Sequence, residues 1–194
     1  MSELHKAVSP LAIGACLILC TSFTWAAQQQ PDPALRDLLR QAMTESTSFP
    51  DKFDAQVWLT DMAIRLGNQV RDPDEKILIL TQVHWEAKRV GLPPEMILAV
   101  IDIESAFDAY AVSRAGAQGL MQVMPFWLDE IGRPGDRLVD IRTNLRMGCT
   151  ILKYYYDMEK GDWIRALGRY NGSLGSRVYP EKVLNRLSGR WFQG

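Results

Sequence analysis

The sequence predicts an all-α fold. Apolar residues recur at helical spacing through most of the chain beyond residue 50, and no segment alternates convincingly between apolar and polar residues with a period of two. A third sign is a well-marked helix start, in which Asp72 can cap the first turn, Pro73 takes the first helical position, and the acidic Asp74 and Glu75 follow. No repeats or low-complexity stretches accompany these helices.

The predicted helices are spread along the chain. In order, they cover residues 35–43, 53–70, 73–90, 92–106, 120–124, 140–160, 163–170 and 179–187. Residues 27–34 (AQQQPDPA) predict a polar tether, and residues 44–52 predict a loop rich in Thr, Ser and Pro. Gly91 and Gly161 are expected to end two of the helices, and Pro125 to interrupt the short one before it. Turn residues predict further loops over 107–118, 132–135 and 171–175.

The first 26 residues are expected to be a secretory signal peptide. Residues 1–6 carry one Lys and one Glu, an apolar run covers 11–25, and Thr24-Trp25-Ala26 places small residues where a signal peptidase cleaves. The run is short for a membrane-spanning helix, which needs about 20 apolar residues. We therefore expect cleavage after Ala26, with a retained membrane anchor as the less favoured alternative.

Charge and residue types argue against several classes of function. The chain has 22 Lys and Arg against 23 Asp and Glu, with no basic run, so nucleic-acid binding has no support. The histidines are His5, in the signal segment, and His84, and no His/Cys cluster has metal-ligand spacing. We expect no metal and no cofactor. Cys149 is predicted to be a small buried residue, and His84 to pack at a helix boundary.

Two acids, Asp102 and Glu104, end a predicted helix that is apolar nearly all round and therefore buried on most sides. At about 100° per residue they lie roughly 200° apart, so they cannot both face one cleft. One is expected to point to solvent or pair structurally, and the other to emerge near loop 107–118. A carboxyl group in an apolar cleft has a raised pKa, which suits a general acid. Periodicity alone favours the simpler hypothesis that both acids are the solvated end of a buried helix.

A longer motif begins at Glu104. Residues 104–125 read ESAFDAYAVSRAGAQGLMQVMP, with a Ser nine residues after the Glu and then Gly-Ala-x-Gly-Leu-Met-Gln-x-Met-Pro. This pattern closely resembles the catalytic signature of the Slt-type lytic transglycosylases. Three later segments also resemble the family. They are residues 144–148, which resemble its long helix, residues 161–172, which resemble its Tyr-Asn turn, and residues 179–183, which resemble its closing helix. The resemblance covers about residues 75–188.

The resemblance implies a lysozyme-like helical fold of the goose-type and Slt class, with a substrate cleft, over residues 73–190. Residues 27–72 would then be a tether and helical extension. Glu104 matches the family's single catalytic acid/base. Matches to substrate-binding residues of the cleft are found at Ser113, Gln122, Met124, Tyr170 and Asn171. Of these, Tyr170 matches the tyrosine whose hydroxyl lies near the catalytic carboxylate.

Residue types alone leave structural alternatives open for these positions. Ser113 suits capping of the turn before Gly116 as well as contact with a sugar. Met121 and Met124 suit core packing. Gln122 is the better candidate for the cleft, because an amide between apolar neighbours would otherwise need buried partners.

The chain departs from the family pattern beside the Tyr-Asn turn. The family usually has a small residue before the Tyr and Ala-Gly after the Asn, whereas here Arg169 precedes and Gly172-Ser173 follow. Residues 27–72 match no module that we can name.

The resemblance implies non-hydrolytic cleavage of peptidoglycan glycan strands with formation of a 1,6-anhydro sugar. Two carboxylates are usual in glycosidases, and no second one is evident near the motif. The alternatives are a hydrolytic muramidase or chitinase of the same shape, and a non-catalytic wall-binding or assembly factor of a secretion or pilus apparatus. We expect a periplasmic monomer that contacts the membrane only through its signal segment, with glycan strands, and a cell-envelope assembly machine, as its partners.

Overall fold

The computed structural model describes residues 48–49 and 51–192, which form seven α-helices and one π-helix. In chain order these are α1 (Lys52–Leu66), α2 (Pro73–Val90), α3 (Pro94–Glu104), α4 (Trp127–Ile131), α5 (Ile141–Met158), α6 (Trp163–Tyr170), α7 (Val178–Arg186) and the π-helix Leu187–Trp191. Outside the helices, the described chain has two isolated antiparallel bridges, which join Gln118 to Val112 and to Val123. The predicted all-α class is confirmed.

The expected signal peptide at residues 1–26, the tether at 27–34 and the helix at 35–43 lie outside the described residues. The domain boundary at residue 72 stays a prediction. On the N-terminal side of that boundary, α1 buries Leu59, Met62 and Leu66 in the same hydrophobic cluster as α2 and α3.

Side-chain caps start most of the longer helices, as the sequence indicates. Asp72 accepts hydrogen bonds from the amides of Asp74 and Glu75 at the start of α2. Asp140 and Asp162 do the same at the starts of α5 and α6. Such a cap satisfies amides that have no partner within the helix and contributes about 1 kcal/mol.

Two helices end earlier than predicted because the backbone that follows them has positive φ values. The helix predicted to reach residue 70 ends at Leu66, because Gly67 has a φ of 55°. The helix predicted to reach residue 106 ends at Glu104, because Ala106 and Phe107 have φ values of 50° and 68°. The positive φ values turn the chain out of α3 immediately after the candidate acid.

The prediction of a short helix over residues 120–124 is wrong. These residues form turns, and the nearest helix is α4, on the far side of Pro125. The physical reason is that Gln122 has a φ of 49°, while the amide of Val123 donates to the carbonyl of Gln118 and that of Gln118 donates back. These hydrogen bonds close a tight loop, and a helix over residues 120–124 could not form them.

Helix α3 forms the centre of the core. Every residue from Met96 to Asp102 is buried, and the helix packs against α2, α7 and the π-helix. Helix α5 packs against α2 and α6. Burying a side chain such as Leu98 stabilises the fold by about 1.5–3 kcal/mol relative to exposure. The core therefore fixes the end of α3, where both acids lie, relative to α7. Within residues 48–49 and 51–192, no helix is long and apolar enough to cross a membrane.

Candidate active site

The two acids at the end of α3 have different surroundings. Asp102 is 6% exposed, and its carboxylate accepts hydrogen bonds from Arg186, Arg190 and Trp191, and from Gln69. This answers the question that periodicity left open, because Asp102 is the acid that pairs structurally. The hypothesis that both acids are solvated is wrong.

Glu104 faces an open pocket of ≈ 400 Å³. The pocket is formed by the end of α3, the loop after α6 and the start of α7, and its lining residues are Ile103, Glu104, Asn171, Ser173, Ser176, Val178, Tyr179 and Lys182. Glu104 is the one carboxylate among these residues. Its neighbours combine two apolar side chains with hydroxyl, amide and ammonium groups, a composition that suits a polar ligand with apolar faces.

Tyr179 holds the carboxyl group of Glu104. Its hydroxyl donates a hydrogen bond of 2.6 Å to Glu104 Oε1. Tyr179 is 9% exposed and lies in the first turn of α7. Burial, followed by the negative charge of Glu104, raises the pKa of the Tyr179 hydroxyl well above its ordinary value, so this group stays a donor.

The environment of Glu104 favours its protonated form. Burial raises the pKa of Glu104 above its ordinary value, and the hydrogen bond from Tyr179 opposes part of this rise because it stabilises the charged form. A carboxyl group with a raised pKa keeps its proton at higher pH and can still act as a base after losing it.

Tyr170 interacts electrostatically with Glu104, but its hydroxyl supports the motif loop, residues 111–123. Its hydroxyl donates to the carbonyl of Met121 at 2.7 Å. Burial, followed by the negative charge of Glu104, raises the pKa of Tyr170 well above its ordinary value. The residue that donates directly to Glu104 is therefore Tyr179, which the sequence did not single out. No local pattern marks it, because the two residues are 75 positions apart.

Side-chain amides hold the loop between Ala111 and Val123 together. Gln122 Nε2 donates to the carbonyls of Ala111 and Gly119 at 3.1 and 3.0 Å. Asn144 Nδ2 donates to the carbonyls of Gln118 and Leu138, while its Oδ1 accepts from the amide of Met121. Every polar atom of the buried Asn144 side chain is thus used, which makes α5 the support of this loop.

The predicted cleft residues divide into two groups. Asn171 is exposed and lines the Glu104 pocket, whereas Tyr170 is half-buried and packs against the hydrophobic core. Ser113, Gln122 and Met124 are half-buried and do not line that pocket. Ser113 Oγ accepts from the amide of Ala117 at 3.0 Å, as expected for a residue that closes the turn. Contact between these residues and a substrate stays a prediction.

Cys149 and His84 are both packed against other parts of the protein. Cys149 is fully buried, as predicted, and burial raises the pKa of its thiol far above its ordinary value. His84 lies within α2 and not at a helix boundary, so that prediction is wrong. It stacks on Phe49 with 3.5 Å between ring centroids, and burial, with Lys88 nearby, lowers its pKa to about 4. Over the described part of the chain, no three His, Cys, Asp or Glu side chains cluster as a metal ion would require.

Parts of this chain are similar in sequence to known proteins. Residues 83–182 match the family model described as the transglycosylase SLT domain. Membrane-bound lytic murein transglycosylase D of Escherichia coli strain K12 is 30% identical over 170 residues, which covers 76% of this chain and 37% of that protein. Membrane-bound lytic murein transglycosylase C of Actinobacillus pleuropneumoniae is 59% identical over 46 residues, which covers 24% of this chain and 13% of that protein.

A solved structure shares the fold. An inactive variant of the lytic transglycosylase Slt from Pseudomonas aeruginosa superposes with a TM-score of 0.51 at 20% identity, over 80% of this chain and 36% of that one. This likeness confirms the expected lysozyme-like architecture. The chain spans well under half the length of the relatives that it matches. Since the family model covers half of the sequence, the chain belongs to the transglycosylase SLT domain family.

Proposed function

We propose that this chain is a peptidoglycan lytic transglycosylase that cleaves the β-1,4 bond between N-acetylmuramic acid and N-acetylglucosamine without water. The observation that carries the proposal is Glu104, a carboxyl group with a raised pKa that is the one carboxylate lining its pocket. Membership of the SLT domain family and the names of the relatives support the same activity.

In the first step, protonated Glu104 donates its proton to the glycosidic oxygen. The bond between that oxygen and the anomeric carbon of the muramic acid breaks, and positive charge develops on the sugar. The 2-acetamido group of the same sugar stabilises this cation from within the substrate. The hydrogen bond from Tyr179 compensates the negative charge that remains on Glu104.

In the second step, ionised Glu104 acts as a base. It removes the proton from the 6-hydroxyl of the muramic acid, and that oxygen closes onto the anomeric carbon. The products are a strand with a new N-acetylglucosamine end and a 1,6-anhydromuramic acid end. No water is consumed, and Glu104 ends the cycle protonated, as it began.

The surroundings of the nearest motif acid favour this route over hydrolysis. An inverting hydrolase needs a second carboxylate roughly 6.5–9.5 Å from the first to activate water. Asp108, the acid next along the motif, is exposed and accepts a hydrogen bond from the amide of Tyr110, which closes a local turn. It does not line the Glu104 pocket.

The other members of the site are proposed to bind the glycan. Asn171 lines the pocket. Ser113, Gln122 and Met124 are proposed to form the cleft beyond it, and Tyr170 to hold the motif loop. Secretion to the periplasm through residues 1–26, and recruitment by a cell-envelope assembly machine, are further parts of the proposal.

Digestion of purified wall sacculi, followed by mass spectrometry of the fragments, tests the proposed reaction. Muropeptides with 1,6-anhydro ends are expected, and exclusively reducing ends would refute the proposal in favour of a hydrolase. Glu104→Gln keeps the shape of the side chain but removes the proton donor, so turnover should fall by at least ~10²-fold.

Asp108→Asn is the matched comparison for Glu104→Gln. It should keep most of the activity, because its carboxylate serves only the local turn. A loss as large as that of Glu104→Gln would indicate a two-carboxylate hydrolase. Full function of Glu104→Gln in cells would instead indicate a non-catalytic wall-binding factor.

A further inference from the structure

The hydroxyl of Ser173 has no hydrogen-bond partner. Among the side-chain nitrogen and oxygen atoms of residues 48–49 and 51–192, its Oγ is the buried one that lacks a partner. The backbone around it is well bonded, since the amide of Ser173 donates to the carbonyl of Gly168 and its carbonyl accepts from Ser176. A buried polar group without a partner destabilises a fold and calls for an explanation.

The position of Ser173 suggests that explanation. Ser173 lines the pocket that contains Glu104, together with Asn171 and Tyr179. It is also one of the places where the chain departs from the pattern that it resembles, which has a glycine here and therefore no side chain. An unpartnered hydroxyl thus lies in the wall of the candidate active site, at a position that needs no side chain for the fold.

We propose that Ser173 is a further substrate-binding residue, whose hydroxyl forms a hydrogen bond with a neutral hydroxyl or acetamido group of the bound glycan. This inference rests on the proposed function. A serine hydroxyl can both donate and accept, so it suits either sugar group. The ligand it recognises is an uncharged polar group next to the bond that Glu104 cleaves.

The free state favours formation of this hydrogen bond. The Ser173 hydroxyl has already lost its contact with water, so substrate binding adds a partner without a new desolvation cost. Rotation about its Cα–Cβ bond passes between staggered positions and breaks no existing hydrogen bond. On the protein side little therefore offsets the new bond, and the remaining cost is the water that the sugar group gives up.

Ser176 offers a matched comparison in the same pocket wall. Its Oγ accepts a hydrogen bond from the amide of Val178 at 3.3 Å, at the start of α7. Moving this oxygen to another rotamer would break that bond. Both positions tolerate alanine, since neither has left-handed backbone. The two serines differ in whether their hydroxyl has a partner in the free protein, and also in burial, since Ser173 is half-buried and Ser176 is exposed.

The test measures binding and thermal stability in full-length protein. Each serine is replaced by alanine in a Glu104→Gln background, and binding of a purified tetrasaccharide of alternating N-acetylglucosamine and N-acetylmuramic acid is followed by calorimetry. Ser173→Ala should weaken binding by about five-fold, the effect of one hydrogen bond, while the melting temperature stays equal or rises. Ser176→Ala should weaken binding less and should not raise the melting temperature.

Three results would overturn the inference. They are unchanged affinity in Ser173→Ala, a lower melting temperature in that variant, and an equal loss of affinity in Ser176→Ala. A lower melting temperature would mean that the hydroxyl supports the fold. Failure of the tetrasaccharide to bind the Glu104→Gln parent would contradict the proposed function itself, and this inference with it. The digestion of sacculi by the unaltered protein separates that case from a failure at Ser173 alone.

Discussion

Tyr179 Oη donates a 2.6 Å hydrogen bond to Glu104 Oε1, joining the first turn of α7 to the last residue of α3. Two opposing influences meet at this carboxyl group. Burial raises the pKa of Glu104, and the hydrogen bond from Tyr179 lowers it. The balance between them sets the pH range over which Glu104 can donate a proton.

Tyr179→Phe should therefore move the alkaline limb of the activity profile to higher pH. The variant removes the interaction that lowers the pKa of Glu104 and leaves the burial that raises it. A more basic carboxyl group stays protonated to higher pH, so the acid remains competent there. The measurement is kcat/KM for release of anhydro-muropeptides across the pH range.

Tyr170→Phe is the comparison, because it also removes one buried hydroxyl, but one that donates to Met121 and not to Glu104. It should reduce activity by loosening the motif loop, without shifting the alkaline limb. An equal shift in both variants, or a shift of Tyr179→Phe towards lower pH, would contradict the role given to Tyr179.

Glu104→Gln should make stability less dependent on pH. Because the pKa of Glu104 is raised in the folded state, folding is favoured while the group is protonated in both states, below its unfolded value of about 4.5. That stability is lost as pH rises through the folded-state value. Glutamine carries no charge, so the variant should be at least as stable as the unaltered protein near neutral pH, with an advantage that disappears in acid.

Melting temperatures of both proteins between pH 4 and pH 8 check this expectation. Glu130→Gln, on the exposed face of α4, controls for the loss of one negative charge. A constant difference in melting temperature between Glu104→Gln and the unaltered protein over this range would show that burial does not disfavour the charged carboxylate.

Helical geometry explains how far the sequence predicts this site. The spacing of Asp102 and Glu104 within one helix determines that they face apart, and local sequence is sufficient for that. The choice between them depends on Arg186 and Arg190, which are 84 and 88 positions from Asp102 and approach it only in the folded chain. Without the family motif, periodicity could not identify Glu104 as the acid.

Backbone conformation and distant partners account for what the sequence does not predict. The apolar spacing of residues 120–124 suits a helix, but Gln122 adopts a left-handed conformation that its side chain stabilises by bonding to Ala111 and Gly119. Residue type gives little warning of this, since glutamine is a good helix former. The role of Tyr179 likewise depends on α7 packing against α3.

Asp102→Ala should destabilise the fold and release its C-terminal end. The substitution leaves Arg186 and Arg190 without their shared carboxylate, and these side chains are 40% and 26% exposed. Loss of a fully buried partner typically costs roughly 3–5 kcal/mol, and partial exposure of the arginines lowers the expected cost to about 2–3 kcal/mol. Urea denaturation gives the free energy of unfolding, and limited proteolysis after residue 186 detects release of the π-helix.

Arg177→Ala removes one partner of the exposed pair between Arg177 and Glu181, so it should cost less than about 1 kcal/mol. If the two variants lost the same free energy of unfolding, the cluster around Asp102 would have to be regarded as an ordinary surface ion pair.

Gly119→Ala should be much more destabilising than Gly135→Ala. Both glycines have left-handed backbone, with φ values of 75° and 87°, which costs an alanine about 1–2 kcal/mol. A Cβ at Gly135 would meet nothing within 4 Å, whereas one at Gly119 would overlap the amide of Asn144 and the carbonyl of Leu138. Asn144 cannot move away without losing its bonds to the motif loop.

The expected loss is therefore roughly 3 kcal/mol or more for Gly119→Ala, measured as the free energy of unfolding in urea. Equal losses at the two positions would mean that the loop can shift to accept the methyl group, and that Asn144 does not hold it in one place.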